Sequence, residues 1–123
     1  MEQPPYEERI AELAEDARRE RESFEPPETT PAEERALVYL REVFGPAVAV
    51  YIDARTGGDH VRLNAEDLSL LRRAINDGLA LYLRCYGSER DPDVSVRTAA
   101  ELLVETHNVR DTAQLLTDVP SRR

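Results

Sequence analysis

The order of apolar and polar positions divides the chain into segments of different period. In YEERIAELAEDARRERESF the apolar residues Tyr6, Ile10, Leu13, Ala17 and Phe24 recur at helical steps. The stripe is narrow and the rest of the surface is charged. Glu–Arg pairs at i,i+3 or i,i+4 add about 0.2–0.5 kcal/mol each. A helix of this kind is marginal alone and needs a surface to lie on. EPPETTP, 25–31, then interrupts any helix with three prolines. Thr30, Pro31 and Glu33 read as N-cap, first helical residue and capping-box partner of the next helix, PAEERALVYLREVF. Ala36, Leu37, Leu40, Val43 and Phe44 face inward there, and Gly45-Pro46 reads as its stop.

The pattern changes in AVAVYIDARTGGDHVRL, 47–63. Alternation predicts a β-hairpin turning at Gly57-Gly58. In that register Ala54 faces Val61 and Ile52 faces Leu63, on one side with Val48 and Val50. On the other side Asp53 pairs with Arg62, and Arg55 stands beside His60. The glycine pair and its charged neighbours are thereby read as a turn and not as a chemical centre.

Asn64 and Asp67 read as the capping box of the longest element, AEDLSLLRRAINDGLALYLRCYG. Its first half is amphipathic, with Leu68, Leu71, Ala74 and Ile75 inward. Its second half, LALYLRCY, carries only Arg84 as a charge, which predicts cover on every side. Gly78 marks the change, and a close backbone neighbour there explains a glycine inside a helix. Gly87 closes the element. Two short helices follow. The first is capped by Ser95, with Val96, Ala99, Ala100 and Leu103 inward. After a break at His107-Asn108, the second runs from about 110 to 118, with Ala113, Leu115 and Leu116 inward and Pro120 ending it. The expected fold is α+β: a β-hairpin on a long central helix with flanking helices. Residues 1–25 form a charged amphipathic helical arm, 26–30 a Pro-rich linker and 31–123 a single α+β domain.

A chain of 123 residues suits one domain. The longest apolar runs are only a few residues, so no membrane span is expected, and no secretory signal is visible. Cys85 is the one cysteine and can form no internal disulfide, which fits a cytoplasmic location. All 16 basic residues are arginine. Against 25 acids they leave a net charge of −9, of which residues 1–30 carry −6. Such lysine-free, acidic surfaces resemble those of proteins from salt-accumulating archaea, where acidic charge maintains solubility.

Chemistry is sparse. No cluster of His, Cys, Asp and Glu has metal-ligand spacing, and phosphate loops, dinucleotide fingerprints and nucleophile elbows are absent. Cys85 lies in an apolar run and reads as a small hydrophobe. A non-enzymatic protein without cofactor or metal is expected. An apolar helix half and an uncovered hairpin predict association, most simply a homodimer with an adaptor or regulatory role. Its interface would use Ile10, Leu13, Tyr51, Leu79, Leu81, Tyr82 and Leu83, with the arm clasping its own partner or another protein. The alternative is a DNA-associated transcriptional regulator. The last segment resembles a helix-turn-helix, and Arg97, Arg110, Arg122 and Arg123 would then share one basic surface.

Overall fold

The computed structural model of the chain describes residues 6–56 and 62–118. They form helices α1 (Tyr6–Glu22), α2 (Glu33–Tyr39), α3 (Gly45–Thr56), α4 (Ala65–Cys85), α5 (Val96–Thr106) and α6 (Val109–Thr117), with a π-helical turn, Leu40–Phe44, joining α2 to α3. There is no strand among the described residues, so the expected α+β fold is replaced by an all-helical one.

The hairpin is the main correction. Residues that alternate along a strand, Val48, Val50, Ile52 and Ala54, lie instead on a helix that buries Ala47, Val48, Val50 and Ala54. Phe44, Ala47 and Val48 stand at i, i+3 and i+4, and Val50 and Ala54 lie three and seven residues beyond Ala47, so the sequence satisfies both periods over this stretch. Asp53 faces neither a strand nor Arg62. It accepts a hydrogen bond from the Tyr6 hydroxyl at 2.7 Å and lies 4.0 Å from the Arg9 guanidinium. The expected turn, Gly57-Gly58 with Asp59, His60 and Val61, lies outside the described residues.

Gly45-Pro46 does not stop the preceding helix. Proline has no N–H, and inside a regular α-helix its ring clashes with the carbonyl four residues back. Here the Gly45 N–H donates to the Leu40 carbonyl, five residues back, and this widened turn lets the chain continue into α3 with Pro46 in its first turn.

Several local signals do give the ends of the helices. The Asn64 side chain accepts from the Asp67 N–H at 2.7 Å, while the Asp67 carboxylate accepts from the Asn64 N–H at 3.4 Å. Ser95 accepts from the Thr98 N–H at 3.1 Å. Gly87, at φ +83°, ends α4, with Gly87 N–H on Arg84 O and Ser88 N–H on Leu83 O, the pairing of a Schellman motif. Two details differ. α2 begins at Glu33 with Ala32 before it and no side-chain cap. His107, and not Asn108, adopts the left-handed conformation, while Asn108 caps α6 by accepting from the Asp111 N–H.

α4 is the axis of the fold and touches every other element. Its apolar second half is covered on all sides within one chain. Leu79, Ala80, Leu81, Tyr82, Leu83 and Cys85 are each at most 1% exposed. α1 lies along α4 and buries Ile10, Ala14 and Ala17. The premise that the 79–86 segment needs a second subunit to cover it therefore fails, because α1, α2, α3 and the π turn supply the cover.

Candidate functional site

An open groove of about 690 Å3 lies between α1, α3 and α5. Leu13 of α1, Pro46, Ala49 and Ile52 of α3 and Leu103 of α5 give it an apolar floor. The groove follows the helical repeat of α3, which buries Val48 and Ala54 against the core and turns Ala49 outward. Arg9, Glu12, Asp16 and Asp53 stand around this part, an excess of negative charge. Ile52 and Thr56 also line a second hollow of about 320 Å3, with Tyr51, Ala100 and Val104. Its charged residues are Arg55, Arg97 and Glu101, an excess of positive charge. Arg55 lies over the Tyr51 ring, 5.8 Å from its centroid, and donates to its hydroxyl at 3.2 Å. Val104, with 54% of its surface exposed, extends the apolar strip.

Of the expected interface residues, only Leu13 and Tyr51 reach this surface. Ile10, Leu79, Leu81, Tyr82 and Leu83 belong to the core. Sequence reasoning placed Ile52 and Leu103 inside and passed over Val104. The signal for Val104 was its place four residues beyond Ala100, on the edge of the α5 stripe.

A smaller cleft of about 160 Å3 lies between α2, α4 and the start of α6. Glu33, Glu34, Ala36, Leu37, Leu40, Tyr82, Tyr86 and Arg110 line it. Tyr82 is 1% exposed, and its hydroxyl meets no hydrogen-bond partner among the described residues. Burial pushes the Tyr82 phenol far above its ordinary range, and the nearby Tyr86 adds to this while the Arg110 charge opposes it. The hydroxyl is therefore a neutral group at physiological pH. The Tyr82 and Tyr86 rings are tilted by 49° with centroids 5.1 Å apart.

The basic surface expected for nucleic acid is not assembled from the described residues. Arg97 is paired with Glu101 at 3.1 Å beside the α3–α5 hollow, whereas Arg110 lines the α2–α4–α6 cleft. Arg122 and Arg123 lie outside the described residues. Cys85 is fully buried, and burial pushes its thiol up, which disfavours the thiolate. Among the described residues no group of three His, Cys, Asp or Glu side chains is placed to hold a metal ion. No described helix is long and apolar enough to cross a membrane.

No curated protein and no solved structure matches the chain. One family model does, over residues 4–121, nearly the whole length. By that match the chain belongs to the family described as Domain of unknown function (DUF8055).

Proposed function

We propose that this protein acts by association through the α1–α3–α5 groove, and that the occupant is a second copy of the chain. The observation that carries the reading is the arrangement of charge along one apolar strip. Around Leu13, Ala49 and Ile52 the charged side chains sum to net negative; around Tyr51, Ala100 and Val104 they sum to net positive. A two-fold interface must be complementary to itself. A face with one acidic and one basic half meets that condition when two copies lie antiparallel, each acidic half against the other's basic half. The apolar floor supplies area that is worth burying, roughly 25 cal/mol per Å2.

The role is then an adaptor or regulator that works by joining and not by turnover. Buried, electronically quiet Cys85 supports the absence of a thiol nucleophile, and a lone cysteine suits the reducing cytoplasm. Two chains of net charge −9 also repel one another, and molar salt screens that repulsion over a Debye length of about 3 Å.

Ala49 gives the cleanest test, because it is exposed at the groove floor. Light scattering in molar KCl is expected to give a dimer mass for the native chain and a monomer mass for Ala49→Arg, which sets a cation against the partner's basic half, with unchanged helicity. A native chain that stays monomeric at tens of micromolar, or an Ala49→Arg chain that remains dimeric, overturns the reading.

A further inference from the structure

We infer that the association is keyed by one ion pair made twice, Glu12 of each copy against Arg55 of the other. The inference rests on the two-fold association proposed above and adds to it the two side chains that set its register.

The starting point is how the charged side chains along the groove and its adjoining hollow are already used within the chain. Asp53 lies 4.0 Å from the Arg9 guanidinium and accepts a hydrogen bond from Tyr6. Asp16 lies 3.7 Å from Arg19. Arg97 pairs with Glu101 at 3.1 Å. Glu12, in the acidic half, and Arg55, in the basic half, are the lining charges left without an ion pair among the described residues. Both are exposed. Arg55 is also oriented: it lies over the Tyr51 ring, and its bond to the Tyr51 hydroxyl engages only one of the several N–H groups of the guanidinium.

Opposite signs in opposite halves are what a two-fold interface requires. Where one residue of such an interface meets a second, the second meets the first across the axis. Antiparallel copies lay the acidic half of one on the basic half of the other, so Glu12 meets Arg55 at two symmetric places. A parallel overlay would set Glu12 against Glu12 and Arg55 against Arg55. The same register joins apolar neighbours, since Leu13 follows Glu12 on α1 and Val104 shares the hollow with Arg55. Like charges facing one another across an interface are strongly disfavoured. These two side chains, and not the pairs already neutralised within the chain, therefore decide which face is accepted. Molar salt screens well-separated surface charges, but it acts much less on a pair partly buried at an interface.

The test reverses each charge separately in the full-length chain and then combines the two changes. Both side chains are exposed, so helicity is expected to stay unchanged. Light scattering is recorded in molar KCl at a concentration where the native chain is dimeric. Glu12→Arg and Arg55→Glu each set like charges together at both symmetric places, and each is expected to weaken association by about tenfold or more. An equimolar mixture of the two single variants is expected to recover the dimer mass, because each copy then offers the other the opposite charge at both places. A chain carrying both substitutions is expected to recover it too. Single variants that dimerise like the native chain, or a mixture that associates no better than either variant alone, overturn the ion pair and leave the association surface standing. A native chain that is monomeric overturns both.

Discussion

Gly78 of α4 passes directly beneath Phe44 of the π turn. A Cβ at position 78 would stand 2.9 Å from the Phe44 backbone nitrogen and 3.0 Å from its Cα and Cβ. The widest turn of one helix therefore rests on the one position of α4 that has no side chain. This contact fixes where the α2–α3 pair crosses the central helix, and through α3 it fixes the groove.

Gly78→Ala tests that relationship. In an open helix the change would stabilise by about 1 kcal/mol. Here the new methyl meets backbone, which cannot swing aside, and overpacking of this kind costs about 1–3 kcal/mol. Urea unfolding is expected to show a net loss of stability, and a gain would mean that the crossing is looser than the structure has it.

Arg21 ties α1 to two other parts of the fold. Its guanidinium donates to Asp77 at 2.9 Å and to Asp91 at 2.5 Å, and Asp77 is only 7% exposed. Burial opposes the Arg21 charge, but the bonds to Asp77 and Asp91 prevail and raise its pKa. Removing one partner of a fully buried pair costs about 3–5 kcal/mol, and partial exposure of Arg21 reduces that here. Arg21→Met is expected to destabilise by about 2 kcal/mol, read by denaturant unfolding. Adding Asp77→Asn to it should cost little more, since the stranded carboxylate is then gone.

Much of this architecture is readable from local chemistry. Asn64 with Asp67, Gly87 in its left-handed position and Ser95 mark helix ends through side-chain and backbone hydrogen bonds that need only neighbouring residues. α3 is not readable in the same way. Val48, Val50, Ile52 and Ala54 alternate as a strand would, are largely β-branched, and run into Gly57-Gly58. What decides for helix is tertiary: α3 is packed by α1, α4 and α5, which a two-stranded ribbon of this length could not match. The π turn that carries the chain past Pro46 depends in turn on Gly78 lying beneath Phe44, more than thirty residues away. The groove was legible only through Leu13 and Tyr51. Its other side comes from α5, whose docking on α3 no local pattern encodes.

Glu15 provides a pH readout on α1. Hydrogen bonding to Arg18 comes first, and with help from Arg19 it holds the Glu15 carboxyl at about 2, against an ordinary 4.5. A depressed carboxylate stabilises the fold fully above its unfolded pKa, and that contribution disappears as pH falls from about 4.5 through 2. NMR titration of the Glu15 side chain is expected to give a midpoint near the lower value. Arg18→Gln should return it toward the ordinary range, and an unchanged midpoint would contradict the pairing.

Cys85 should behave as a core atom. With its thiol buried and pushed up, a thiol reagent is expected to react slowly with the native chain and rapidly once it is unfolded. The native rate should stay low as pH rises toward 9, where an exposed thiol would accelerate. Fast native modification would contradict the sealed α4 core.

The central claim is that two copies meet across the α1–α3–α5 groove. Its most direct measurement is an isotope-filtered NOE experiment on a mixture of labelled and unlabelled chains in molar KCl, which records only contacts between molecules. The account predicts intermolecular NOEs joining the Leu13 methyls of one chain to the Ala100 and Val104 methyls of the other. Intermolecular NOEs confined to exposed apolar residues elsewhere, such as Leu115 or Val38, or none at all, would contradict it.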